Sequence, residues 1–133
     1  MRYFIVIVSL FLFYSCGKQG NIDQFKTGTF KTHLDESDIN SIAYRNDSIQ
    51  IETYNNVKDT FAVKWTSNFE YELLKLNPKT QLDSTPFIVK ITGIKENSYS
   101  FTAHFKGSDF KQKGTAVKVG GTKDEKQVKM NNY

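Results

Sequence analysis

The sequence predicts an all-β domain, an antiparallel up-and-down meander of about seven to nine strands that forms a small barrel or half-barrel. From Phe25 to Val119, apolar residues recur at every second position rather than every third or fourth. This is the period of a strand with one buried face. The runs are rich in aromatic and β-branched residues, and short segments rich in Asn, Asp, Lys and Ser separate them. Connections this short favour antiparallel pairing of sequence neighbours.

Eight segments fit the strand pattern, namely residues 27–34, 40–46, 48–54, 60–66, 69–76, 87–95, 98–106 and 114–119. The third segment shows how the faces are assigned: Ile49 and Ile51 lie opposite Gln50 and Glu52. A strand with one buried face is expected to place the apolar pair inside. Eight strands in meander order can close into a barrel, which removes exposed edges, or remain a curved open sheet.

The connections carry the turn chemistry that this topology requires. Pro78 and Pro86 stand outside the strands, where a missing N–H does no harm. Residues 35–42 are the only stretch that could hold a short helical turn, because Asp35 or Ser37 can cap one.

The N-terminal residues have the pattern expected of a targeting signal. Arg2 precedes an apolar run at 3–14, which has the length of a secretory h-region and is shorter than the roughly 20 residues that span a bilayer. Cys16, the only cysteine of the chain, follows Ser15. This arrangement resembles a bacterial lipoprotein signal with its lipobox, although Phe13 and Tyr14 depart from the usual residues. The resemblance implies cleavage before Cys16 and lipidation of its sulfur.

An uncleaved interfacial anchor with an incidental thiol is the alternative for this segment. A disulfide within the monomer is excluded because Cys16 has no partner. Several acyl chains would anchor the protein stably, since each buried methylene contributes about 0.8 kcal/mol. Lys18 stands where inner-membrane lipoproteins commonly carry Asp, so the expected localisation is the outer membrane of a Gram-negative envelope, in a leaflet that is not determined.

The expected domain organisation has four parts. These are a signal peptide at 1–15, a lipidated cysteine and flexible tether at 16–24, the β-domain at 25–119 and a disordered tail at 120–133. Without residues 1–15 the chain has 118 residues and a formal charge of +3, within the usual range of one domain. Acidic and basic residues are interspersed, which argues against a nucleic-acid partner.

Three stretches carry a family resemblance: FKTGTF at 25–30, VKWTSNFEYELLKLNP at 63–78 and KGTAVKV at 113–119. They are similar to a family of small Gram-negative lipoproteins with compact β-domains of unassigned role. The motif residues are Gly28, Thr29, Phe30, Trp65, Glu70, Tyr71, Gly114 and Thr115. Gly28-x-Phe30 is also similar to the opening of lipocalin-like barrels, which usually carry Trp at the second position. Some members of the lipoprotein family carry the label DNA topoisomerase IV, but such an enzyme needs an acidic metal cluster and a much longer chain.

Few residues indicate catalysis or metal binding. His33 and His104 are expected on solvated strand faces, and Asp35, Glu36 and Asp38 lack the glycine and distal glutamate of a calcium loop. Glu70 and Glu72 share a strand face about 7 Å apart, which makes a glycosidase-type hydrolase the least favoured function. We therefore expect no enzyme, no cofactor and no metal.

The aromatic residues favour a binding function. Most of them must build the core of so small a domain. If the barrel is hollow, Trp65 and Tyr71 are the candidate pocket residues, because they add N–H and O–H groups to an apolar wall. The favoured function is a membrane-anchored binding module for a small apolar ligand or an envelope protein.

The alternative function is a proteinaceous inhibitor of an envelope-active enzyme, acting through the loops at 77–86 and 107–113. Phe110 stands between Asp109 and Lys111 in the second loop, an arrangement suited to insertion into a partner's pocket. The alternative for Phe110 is a side chain that folds back over the end of the barrel.

Overall fold

The computed structural model describes residues 21–121, which form one closed antiparallel barrel of eight strands in sequence order. The strands are β1 (Gly28–Leu34), β2 (Asn40–Arg45), β3 (Ile49–Tyr54), β4 (Val57–Ser67), β5 (Glu70–Lys75), β6 (Phe87–Ile94), β7 (Ser98–Phe105) and β8 (Gln112–Gly120). Pairing of β1 with β8 closes the barrel. The predicted all-β meander is confirmed, and the barrel alternative holds over the open sheet.

Local differences from the prediction have clear causes. Strand β4 begins at Val57, three residues early, because Asn55 and Asn56 adopt φ values of 48° and 63° and form a tight turn. Positive φ at both central residues is typical of a two-residue hairpin, so Val57 pairs directly with Tyr54. Residues 35–42, the stretch that the sequence allowed to hold a short helical turn, form a turn without a helix, and β2 begins at Asn40.

A 3-10 helix, Ile22–Phe25, precedes β1 where the sequence predicted part of a flexible tether. The side chain of Asn21 caps this helix by accepting a hydrogen bond from the Asp23 amide at 3.0 Å. Phe25 is completely buried, which ties the helix to the core. The folded domain therefore begins before Phe25. The signal peptide at 1–15, Cys16 and most of the tail at 120–133 lie outside the described residues.

The two ends of the barrel differ. At the closed end, the N-terminal 3-10 helix crosses the barrel beside the turns at 46–48, 68–69 and 95–97. Gln24 donates a side-chain hydrogen bond to the carbonyl of Glu96 at 2.9 Å, and Lys118 donates to the carbonyl of Gln24. The open end carries the β1–β2, β3–β4, β5–β6 and β7–β8 connections. A second 3-10 helix, Leu82–Ser84, lies in the β5–β6 connection.

Gly28 is required at the start of β1. Its φ is +135°, and a Cβ there would lie 2.7 Å from the side chain of Lys118 and 2.9 Å from the carbonyl oxygen of Gly120. Only glycine adopts this conformation without strain. The first and last strands can therefore approach closely beside the N-terminal helix. Within the described residues, no helix has the length and hydropathy needed to cross a bilayer.

The faces of β3 are inverted relative to the prediction. Gln50 is 2% exposed and points into the barrel, whereas Ile49 and Ile51 are only half-buried on the outside. The reason is that Arg45, at the end of β2, is also inside and needs an acceptor from the neighbouring strand. The expectation that the two isoleucines face the core is wrong.

Candidate functional site

The interior of the barrel contains a cavity of about 300 Å³. Its lower part lies against the polar side chains near the closed end, and its upper part reaches solvent between Ile39 and Tyr54, which are 36% and 44% exposed. The apolar wall consists of Leu34, Leu73, Phe87, Val89, Phe101 and Ala103. The polar lining consists of Thr32, Ser41, Arg45, Gln50, Glu52, Asp59, Tyr71, Tyr99 and Gln112.

Arg45 is the centre of the polar floor. Its side chain is 1% exposed, and its guanidinium donates four hydrogen bonds. Nε donates to Gln50 Oε1 at 2.7 Å and Nη1 to the carbonyl of Phe25 at 2.7 Å. Nη2 donates to both Tyr71 Oη at 2.8 Å and Tyr99 Oη at 2.9 Å. One side chain thereby connects β2 with β3, β5, β7 and the N-terminal helix.

Aromatic faces surround the guanidinium. Its carbon lies 4.4 Å from the ring centre of Tyr71, 4.7 Å from that of Phe30 and 6.0 Å from that of Trp65. A cation in this position is attracted by the ring quadrupoles. Burial acts to lower the pKa of Arg45, but interactions with Tyr71, Tyr99 and Glu52 outweigh it and place the pKa above its ordinary value. Arg45 is therefore a permanent buried cation.

The hydroxyl groups of two tyrosines accept hydrogen bonds from Arg45. The hydroxyls of Tyr71 and Tyr99 lie 3.0 Å apart and form a hydrogen bond with each other. Burial raises the pKa of Tyr71 well above its ordinary value, although the charge of Arg45 acts in the opposite direction. Tyr71 therefore remains a neutral phenol with a hydroxyl proton to donate. The floor of the cavity presents a cation and two phenols to its contents.

Glu52 lies above this floor on the β3 wall. Gln50 links it to Arg45, since Gln50 Nε2 donates to Glu52 Oε1 at 2.8 Å while Gln50 Oε1 accepts from Arg45. Burial raises the pKa of the Glu52 carboxyl, with the Gln50 hydrogen bond and the Arg45 charge opposing the rise. A carboxyl with a perturbed pKa in a cavity is a functional-site candidate.

Replacing Glu52 with Gln is expected to raise the melting temperature near pH 7 and to change it little near pH 4. Because the pKa of Glu52 is raised in the folded state, stability falls as pH rises above the ordinary value of 4.5. An amide carries no charge and avoids this loss. Thermal unfolding at about pH 4 and about pH 7 measures the difference. The exposed Glu36→Gln variant is the control for the loss of one carboxylate, and a lower melting temperature of Glu52→Gln near pH 7 would contradict the expectation.

The predicted site residues have different positions. Tyr71 lines the cavity. Trp65 is not among the lining residues and packs behind Tyr71, with ring centres 4.7 Å apart. Phe110 is 69% exposed in the β7–β8 connection at the open end, so it does not fold back over the barrel.

The other candidates lie away from the cavity. Glu70 and Glu72 flank the inward-facing Tyr71 and point outward, and Glu70 accepts a hydrogen bond from Thr66. His33 is exposed and contacts Asn40. Among the described residues, no three His, Cys, Asp or Glu side chains come together as a metal site.

Sequence reasoning missed Arg45, Gln50, Glu52 and Tyr99 as site residues. The available signal was that β2 ends on an arginine and β3 alternates polar and apolar residues, so either face of β3 could have turned inward. The fold and this cavity define a small eight-stranded barrel with a polar floor, closed at one end and open at the other. Comparison of the chain with protein-family models, with curated proteins and with solved structures gives no match.

Proposed function

We propose that the protein is a non-enzymatic binding module that holds a small, mostly apolar ligand inside the barrel. The observation that carries this proposal is the cavity of about 300 Å³ with an apolar wall and with polar groups that converge at its floor. Sites for small molecules have this composition, and their volumes begin at about 300 Å³. A ligand of modest size fits the cavity, and it can replace water through the opening to solvent.

Exposed apolar side chains surround the route into the cavity. Six large apolar side chains at the open end are exposed, namely Ile39, Tyr54, Val57, Leu76, Leu82 and Phe110. They offer a first contact for an apolar ligand arriving from water, because removing apolar surface from water contributes about 25 cal/mol per Å².

A substitution that fills the cavity is expected to weaken ligand binding. Ala103 is 1% exposed and lines the cavity, so Ala103→Leu places three further carbons inside. Fluorescence titration with N-phenyl-1-naphthylamine, a neutral apolar probe, should show at least about tenfold weaker binding, equivalent to about 1.4 kcal/mol. Ala62→Leu, on the outer face of β4, is the matched control. If both variants bound the probe with equal affinity, the cavity would be excluded as its binding site.

We further propose that Cys16 carries lipid and anchors the domain to the cell envelope, favouring the outer membrane. Strand β1 starts at the closed end, so the chain from Cys16 leaves from there. Four residues separate Cys16 from Asn21, and the five Cα–Cα steps between them reach at most about 17 Å. The closed end therefore stays near the membrane, and the open end faces away from it.

Lipidation is tested by intact mass and membrane fractionation of the wild type and Cys16→Ser. The wild type is expected to carry the added mass of acyl chains and to partition with membranes, whereas the variant partitions with the soluble fraction. Equal partitioning and masses that differ only by the substitution would contradict the anchor.

A protein partner is the second candidate, including the role of an inhibitor of an envelope-active enzyme. It is favoured by one observation: the loops at 77–86 and 107–113 both lie at the open end, where Phe110 is 69% exposed. An exposed aromatic with charged neighbours suits a partner's pocket. Under this alternative, Phe110→Ala should abolish co-purification of the partner while leaving the unfolding midpoint unchanged.

A further inference from the structure

The hydrogen bonds at the cavity floor leave one donor unused. The two hydrogens of Arg45 Nη2 go to the oxygens of Tyr71 and Tyr99, and these two hydroxyls also bond each other. Each phenol has one hydrogen, and their mutual bond uses only one of the two. Within residues 21–121 neither hydroxyl has another hydrogen-bond partner. One of the two hydroxyl hydrogens therefore has no acceptor among the described residues.

Both phenols line the cavity, so this hydroxyl hydrogen can rotate toward a molecule that occupies it. The guanidinium behind the pair strengthens the donor, since a hydrogen bond from a group that itself accepts from a cation is polarised. The floor therefore favours an acceptor oxygen on whatever molecule occupies the cavity. A ligand with an ammonium head would meet the charge of Arg45 at the floor, and like charges at close range in a poorly solvated site repel.

The carboxylate of Glu52, above the floor of the cavity, offsets the positive charge of Arg45. Gln50 bridges the guanidinium of Arg45 to the carboxylate of Glu52 through two hydrogen bonds of 2.7 Å and 2.8 Å. With Glu52 ionised, the pair carries no net charge. An anionic ligand that reached the floor would lie beside this carboxylate, and like charges at close range in a poorly solvated site repel strongly. The lining thus disfavours a carboxylate head as well.

We infer that the cavity selects a neutral apolar molecule with a carbonyl oxygen, such as a ketone, ester or amide, and that the oxygen is bound by the Tyr71–Tyr99 hydroxyl pair. This inference rests on the proposed function and specifies its ligand class. The apolar part of the ligand lies along Leu73, Val89 and Phe101, and Glu52 acts as the residue that excludes anions.

The test compares three eight-carbon probes at about pH 8, far above the ordinary pKa of a carboxylic acid. Displacement of N-phenyl-1-naphthylamine should give a Kd for 2-octanone about tenfold or more below the Kd for octanoate and for octylammonium. The infrared carbonyl stretch of bound 2-octanone should lie below its frequency in hexane, because the oxygen accepts a hydrogen bond. Octanoate or octylammonium binding as tightly as 2-octanone, or an unshifted carbonyl stretch, would overturn the inference.

Glu52→Gln tests the assigned role of the carboxylate. The amide oxygen still accepts from Gln50, so the wall keeps its shape while its charge disappears. Octanoate affinity should rise about tenfold relative to the affinity for 2-octanone. Unchanged octanoate affinity would refute exclusion of anions by Glu52. Failure of the naphthylamine probe and of all three eight-carbon probes to bind would instead reject the proposed function itself, which separates the two failures.

Discussion

Arg45→Met is expected to lower the free energy of unfolding by about 3–5 kcal/mol, the cost typical of removing one member of a buried ionic network. Methionine has a long, unbranched side chain of similar size to that of arginine, but it carries no hydrogen-bond donor. The carbonyl of Phe25, Gln50 Oε1 and the two phenol oxygens then lose their bonds to the guanidinium inside the barrel. Each buried polar group left without a partner costs about 1–3 kcal/mol. For a domain with total stability of about 5–15 kcal/mol, this loss approaches unfolding.

Urea denaturation followed by the fluorescence of Trp65, the only tryptophan of the chain, measures this change. Lys64→Met, at an exposed position on the outside of β4, is the control and should shift the stability by less than about 0.5 kcal/mol. The triple variant Arg45→Met, Tyr71→Phe, Tyr99→Phe should recover part of the loss, because removing both sides of a hydrogen bond costs less than removing one. An Arg45→Met midpoint equal to that of the wild type would show that the network contributes nothing.

Gly114→Val is expected to destabilise the barrel by about 3 kcal/mol, at the upper end of the cost of overpacking. A Cβ at this position would lie 2.6 Å from the carbonyl oxygen of His33 and 2.6 Å from Cζ of Phe101. The His33 oxygen belongs to β1, which pairs with β8 where the barrel closes. Since a backbone atom cannot rotate away as a side chain does, the two strands must separate to make room.

Thermal unfolding followed by circular dichroism tests the Gly114 substitution. Gly93→Val is the matched control, because a Cβ at Gly93 meets nothing within 4 Å. The control should unfold within about 0.5 kcal/mol of the wild type. A Gly114→Val variant with the wild-type melting temperature would mean that the closure between β1 and β8 has more room than the contacts indicate.

The strands could be predicted from the sequence because their signal is local. Alternation with period two and turn residues between the runs follow from the pleat and from backbone sterics, and both act over a few residues. Each of the eight predicted segments overlaps its strand, and all but β4 and β8 agree with it to within one residue at each end. The exception at Val57 also has a local cause, the tight turn at Asn55 and Asn56.

The candidate site could be predicted only in part. Tyr71 was identified because an aromatic residue with a hydroxyl suits a pocket wall. The role of Phe25 was missed, since nothing within its own segment shows that a short 3-10 helix will cross the closed end of a barrel. Arg45 was missed because a charged residue at a strand end is usually solvated, and its four acceptors come from segments as distant as Tyr99.

The sequence by itself determined the all-β class, the eight strands and their order, because these depend on periodicity and on short connections. Only the tertiary structure decided that β1 meets β8, that Gln50 and Glu52 turn inward, and that a cavity remains above Arg45. The physical reason is that alternation distinguishes two faces of a strand without saying which one is inside. In β3 the choice follows from the buried guanidinium of the neighbouring strand, which must be hydrogen-bonded wherever the closed barrel places it.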